Sequence, residues 1–89
     1  MPDGTIKGRR IAMFEGLDLD ARVEQGVGFY GYIADTDLPE VGPFNDVPST
    51  EEALKKVVGI YIKYERNPER TINSPEYKAL INSIPKKEG

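Results

Sequence analysis

At 89 residues the chain has room for one domain with one modest core, near the size at which burial alone only just outweighs chain entropy. It holds neither cysteine nor histidine, which excludes disulfides, thiolate or imidazole metal sites, and the Ser/His and Cys/His nucleophile pairs. Net charge is −3 but uneven: residues 11–50 set Arg22 against Glu15, Asp18, Asp20, Glu24, Asp35, Asp37, Glu40 and Asp46, a net −7, between weakly basic ends.

An acidic middle argues against nucleic acid as the main partner, because duplex affinity rests on neutralising phosphates. It favours a protein partner with a basic surface. No apolar run is long enough for a signal-peptide core or a membrane span, so a soluble, cytoplasmic protein is expected.

Residues 1–4 are expected to be disordered, with a single domain over 5–84. Residues 5–14 (TIKGRRIAMF) read as a first strand, clearest over 10–14, and Glu15-Gly16 as a turn. Residues 17–25 (LDLDARVEQ) alternate, with Leu17, Leu19, Ala21 and Val23 on one face and Asp18, Asp20, Arg22 and Glu24 on the other, the pattern of a half-buried strand. After the break at Gln25-Gly26, residues 27–35 (VGFYGYIAD) make the clearest strand. Val27, Phe29, Gly31 and Ile33 form its core row; Tyr30, Tyr32 and Ala34 share the other face. Gly31 between large residues signals close approach by a neighbour, or a bulge. Leu38-Pro39-Glu40 turns the chain, and Val41 to Phe44 can add a short edge segment, where Pro43 is tolerated.

Residues 47–67 (VPSTEEALKKVVGIYIKYERN) carry the strongest helical pattern. Ser49 with Glu52 has capping-box spacing, a cap that stabilises by roughly 1 kcal/mol. Glu52, Lys55, Lys56, Gly59, Lys63 and Arg66 fall in one polar arc. Ala53, Leu54, Val57, Val58, Ile60, Tyr61, Ile62 and Tyr64 fill the opposite, apolar side. Asn67-Pro68 is expected to stop the helix. The β-branched run also allows an alternative, in which the helix ends near Val58 with Gly59 beyond it and residues 60–65 form a strand. A polar connector follows, and Ser74-Pro75-Glu76 then announces a second, short helix through about Ser83, with Tyr77, Leu80, Ile81 and Ile84 on its apolar side. Residues 85–89 read as a solvated tail.

The fold class expected is therefore α+β: a three-stranded antiparallel sheet with a long helix packed on one face and a short C-terminal helix. A helix on one face leaves the other open, and that face carries the tyrosines. Two functional readings follow. In the first, Tyr30, Tyr32, Asp35 and Asp37 bind a partner protein. In the alternative, Arg9, Arg10, Tyr30 and Tyr32 bind single-stranded nucleic acid by base stacking. The tyrosines can equally pack against the second helix or a homodimer mate. Asp18-x-Asp20 and Asp35-x-Asp37 lack the glycine and terminal glutamate of a calcium loop, so no metal, cofactor or catalytic residue is expected.

Residues 28–39 (GFYGYIADTDLP) followed by 49–57 (STEEALKKV) resemble the HicB-type antitoxin domain, where a strand ending near Asp-Leu-Pro precedes a turn and a helix opening with Ser/Thr-x-Glu-Glu-Ala-Leu. Small phage proteins built from β-β-β-α modules look similar. The resemblance implies an α/β fold that binds and occludes a small toxin RNase. The chain departs from the family pattern in lacking the Gly-Cys after Leu-Pro, in a longer 41–48 connection, in an extra strand-like segment and in showing no DNA-binding appendage after Pro68. GFYGY and GIYIKY superficially resemble the GIY-YIG nuclease signature, but the Gly59-Ile60-Tyr61 triplet sits in a helical context with no separate YIG after it, so the signature is not met.

Overall fold

The computed structural model describes residues 8–84; the expectations for residues 1–4, for the strand over 5–7 and for the tail at 85–89 lie outside the described residues. Four strands, β1 (Arg9–Phe14), β2 (Leu17–Glu24), β3 (Gly28–Ile33) and β4 (Val41–Phe44), form an antiparallel meander in the order β1-β2-β3-β4. The sheet thus has one strand more than the three expected. The fourth is the short edge segment offered at Val41 to Phe44, which pairs as a strand despite Gly42 and Pro43 because an edge strand needs partners on one side only. Pairing at Phe29↔Phe44 and Gly31↔Val41 skips one residue between them, so the strand bulges where Gly42 sits at φ 136.

The β1–β2 connection is a two-residue turn with Glu15 at φ 52 and Gly16 at φ 78. Positive φ at both positions is what a tight hairpin needs to match the twist of its strands. From there the register fixes the faces. Leu19↔Ile33, Ala21↔Gly31 and Val23↔Phe29 share one side, while Asp20↔Tyr32 and Arg22↔Tyr30 share the other, as the alternation predicts.

Helix α1 (Val47–Lys63) covers the first side. Its cap is Asp46, not Ser49: the Asp46 carboxylate accepts from the Ser49 N–H at 2.8 Å, and the Thr50 hydroxyl donates to the Asp46 carbonyl at 2.8 Å. The chain enters the helix three residues earlier than the capping-box spacing suggests, because Pro48 suits the first turn. The helix runs unbroken through Gly59, so residues 60–65 form no strand. Burial of Thr50, Ala53, Leu54, Val57, Val58 and Tyr61 outweighs the weak helix propensity of the β-branched run. Ile62, expected on the apolar side, is exposed.

The helix ends before Asn67-Pro68. Glu65 and Arg66 enter the left-handed region at φ 61 and 55, and the Arg66 N–H returns to the Tyr61 carbonyl at 2.8 Å. Pro68 instead opens α2 (Pro68–Ile72), capped by Asn67, where a polar connector was expected. Helix α3 (Pro75–Asn82) is capped by Ser74, as the Ser-Pro-Glu motif predicts. Both short helices pack against α1. The Tyr64 hydroxyl donates to Glu76 at 2.7 Å and Lys63 pairs with the same carboxylate, which these two partners hold at about 2. Burial pushes the Tyr77 phenol up.

The core lies between the sheet and α1, with Leu19, Ile33, Leu54 and Val58 almost fully excluded from solvent and Val41, Phe44 and Tyr77 closing the β4 side. At Gly31 the helix and the sheet approach closely. A Cβ placed there would lie 2.6 Å from Thr50 Cγ2 and 2.9 Å from Leu54 Cδ1, so the missing side chain is what lets the helix settle on β3. At Gly59 an added Cβ meets nothing within 4 Å. The two glycines therefore predict opposite signs: Gly31→Ala destabilises by about 1–3 kcal/mol through overpacking, and Gly59→Ala stabilises by about 1 kcal/mol through helix propensity. Urea unfolding of the two variants checks both.

Candidate functional site

Among the described residues no helix lies on the second side of the sheet. Its surface is built from cross-strand rows: Met13 beside Asp18, then Arg10, Asp20 and Tyr32, then Arg22 and Tyr30. Met13 is 52% exposed, a large apolar group left on a polar face.

Neither tyrosine stands free. The Arg22 guanidinium lies 4.5 Å over the centroid of the Tyr30 ring and forks onto Glu40, donating from Nε at 2.6 Å and from Nη2 at 2.9 Å. A further bond reaches Glu24 at 3.2 Å. This cluster ties β2, β3 and the entry to β4 together across the open face. It raises the Arg22 pKa and holds the Glu40 carboxyl below its ordinary 4.5. Tyr32 reaches toward β1, where its hydroxyl accepts from the Gly8 N–H at 3.1 Å. A Cβ on Gly8 would lie 2.4 Å from that oxygen and 2.9 Å from the Ala21 carbonyl oxygen, so a larger residue there displaces Tyr32 or the strand. Asp20 Oδ1 is buried with no hydrogen-bond partner.

Asp35 and Asp37 are exposed at the end of this face, in the turn after β3. The turn is held from inside: the Thr36 hydroxyl donates to the Ile33 carbonyl at 2.8 Å and accepts from the Leu38 N–H at 3.3 Å, and Leu38 is buried. Asp35 itself adopts φ 61, a conformation that aspartate tolerates better than most residues. The Ala34 N–H donates to the Asp18 carbonyl at 3.0 Å, which brings this turn level with the start of β2 and its Glu15 hairpin. Glu15, Asp18, Asp35 and Asp37 so gather at one end of the sheet, where Arg10 pairs with Asp18 at 3.3 Å.

Of the residues singled out in the sequence, Tyr30, Tyr32 and Arg10 share the helix-free face, and Asp35 and Asp37 border it. Arg9 does not join them. It pairs in register with the buried Ala21 and so belongs to the helix side. Arg22 and Glu40 were missed as a pair. The alternation of β2 places Arg22 on the correct face, but its partner lies 18 residues on and across an intervening strand, where no local pattern points. Among the described residues no three or more Asp or Glu side chains converge as a metal ion would require. No protein-family model, curated protein or solved structure matches the chain.

If Arg22 is what lowers the Glu40 pKa, Arg22→Met returns that carboxyl to its ordinary range. In the wild type the pairing contributes stability that is complete above 4.5 and is lost as pH falls through the lowered value. An NMR titration of the Glu40 side chain in both proteins measures it, and a value unchanged by the substitution contradicts the assignment.

Proposed function

We propose that this domain is a non-enzymatic protein-binding module, an inhibitor or regulator that docks a basic surface of its partner against the helix-free sheet face. The observation that carries the reading is the acidic turn at Asp35 and Asp37, held rigid by Thr36 and Leu38 at the border of that face. A turn whose backbone is already held loses little freedom on binding, and single-sign charge at the edge of a face steers an oppositely charged partner. Tyr30 and Tyr32 supply flat, semi-polar contact area between that end and the Arg22 cluster. The resemblance to HicB-type antitoxins supports the inhibitor part, with a small toxin RNase as the kind of partner it implies. A role in the cytoplasm belongs to the same proposal.

Single-stranded nucleic acid has less support. One face of Tyr30 is already stacked by Arg22, Arg10 is paired with Asp18, and Arg9 lies on the reverse of the sheet.

The double variant Asp35→Lys/Asp37→Lys tests the reading. Both residues are exposed but Asp35 sits at φ 61, so the melting temperature is expected to fall by a few degrees with the fold retained. Capture of a basic protein from native host lysate is expected to fall roughly tenfold or more relative to the wild type. Equal capture by the two proteins contradicts it.

A further inference from the structure

On the helix side, the described residues leave one corner of the sheet uncovered. Helix α1 begins there with Val47 and crosses away toward the far end of β1, where Lys55 lies 5.8 Å from the Phe14 ring centroid. The corner left behind, where β1 begins and β2 ends, is a groove of about 490 Å³ whose floor is Ile11, Ala21, Val23, Phe29 and Val47. Val23 is 51% exposed, although the strand alternation assigns it to the core row. The groove therefore shows core chemistry to solvent.

Its polar groups are of one sign. Arg9 lines the rim and forms no ion pair among the described residues. Arg22 contributes to the wall, but its guanidinium is committed to Glu40 and Tyr30 on the other face. Among the described residues no carboxylate lines the groove, and the nearest in sequence to Val47, that of Asp46, is turned to the Ser49 N–H. A cation with no ion-pair partner among the described residues, set over an apolar floor, selects for an apolar group that carries a negative charge.

We propose that this corner is a binding site for a small acyl carboxylate, with the chain on the Ile11–Val23–Phe29 floor and the carboxylate on Arg9. The volume lies in the range of small-molecule sites, which run from roughly 300 to 1,000 Å³. The site is on the opposite side of the sheet from the proposed docking face and is independent of it.

Octanoate is the probe, with octan-1-ol as its uncharged counterpart, each titrated into ¹⁵N-labelled protein. Saturable amide shifts by octanoate are expected at Arg9, Ile11, Ala21, Val23, Phe29 and Val47, with weaker binding of octan-1-ol. Arg9→Gln should weaken octanoate roughly tenfold, the size of one charge-assisted hydrogen bond, and leave octan-1-ol unchanged. Val23→Glu should abolish binding of both; each substitution is at an exposed position, and an unchanged amide spectrum elsewhere confirms the fold. The proposal is overturned by no saturable shift at millimolar octanoate, by shifts confined to the helix-free face, or by equal affinity of Arg9→Gln. It is also overturned if sedimentation shows a wild-type dimer that Val23→Glu dissociates, since a second copy would then be the occupant.

Discussion

The seat of α1 on β3 at Gly31 is the contact on which the rest of the arrangement depends. With no Cβ at that position, Thr50 and Leu54 reach the backbone of the sheet directly, and both are almost completely buried as a result. A helix that sits this low can bury Ala53, Val57, Val58 and Tyr61 on the same four strands, so one helix supplies most of the second core layer and α3 adds Tyr77 at the β4 side. In a chain this short that economy matters, because little apolar surface is available to offset the entropy of ordering it. The cap follows from the same seat. Asp46 and Thr50 tie the first turn down where the chain leaves β4, which sets where the helix starts its crossing.

One helix crossing four strands cannot cover everything, and the two regions it leaves have opposite chemistry. The reverse of the sheet is polar and closed on itself by the Arg22, Tyr30 and Glu40 cluster, with carboxylates at one end. The corner beside Val47 is apolar and rimmed by Arg9. Ion pairs on exposed surface stabilise weakly, so the Arg22 cluster contributes mainly by fixing side-chain positions on the open face. A face with preset side chains binds with less loss of freedom than one whose tyrosines swing free. The α1–α3 junction, with Tyr64 and Lys63 on Glu76, is a similar pin on the far side of the molecule and keeps α3 against the β4 edge.

Much of this was legible in the residues. Strict alternation in β2 and β3 set both faces correctly, and Gly31 between Tyr30 and Tyr32 pointed to close approach by a neighbour. The Ser74-Pro75-Glu76 signal placed α3. What stayed hidden has physical causes. Strand β4 was readable only as a short edge segment outside the three-stranded sheet, because it is four residues with a Gly-Pro at its centre and no alternation, and pairing with β3 is what makes it a strand. The true cap of α1 lay outside the Ser-x-x-Glu window because a proline in the first turn moved the start upstream. Helix α2 is one turn long and begins at the residue expected to end the preceding helix, an ambiguity inherent to proline, which both stops helices and starts them. Arg9 next to Arg10 looked like a basic pair, whereas neighbouring strand residues face opposite ways. For the site, types of residue were readable and partners were not. Asp35, Asp37, Tyr30 and Tyr32 do border one surface, but the Arg22–Glu40 fork and the uncovered corner are products of tertiary register.

Nuclear Overhauser contacts of the Gly31 α-protons test the central claim most directly. If α1 rests on β3 at that glycine, strong contacts run from those protons to the Thr50 and Leu54 methyl groups, while the Tyr30 and Tyr32 rings show contacts to β1 and β2 side chains and none to α1. Tyrosine rings in contact with α1, with Gly31 remote from both methyl groups, would place the helix on the other face and contradict the account.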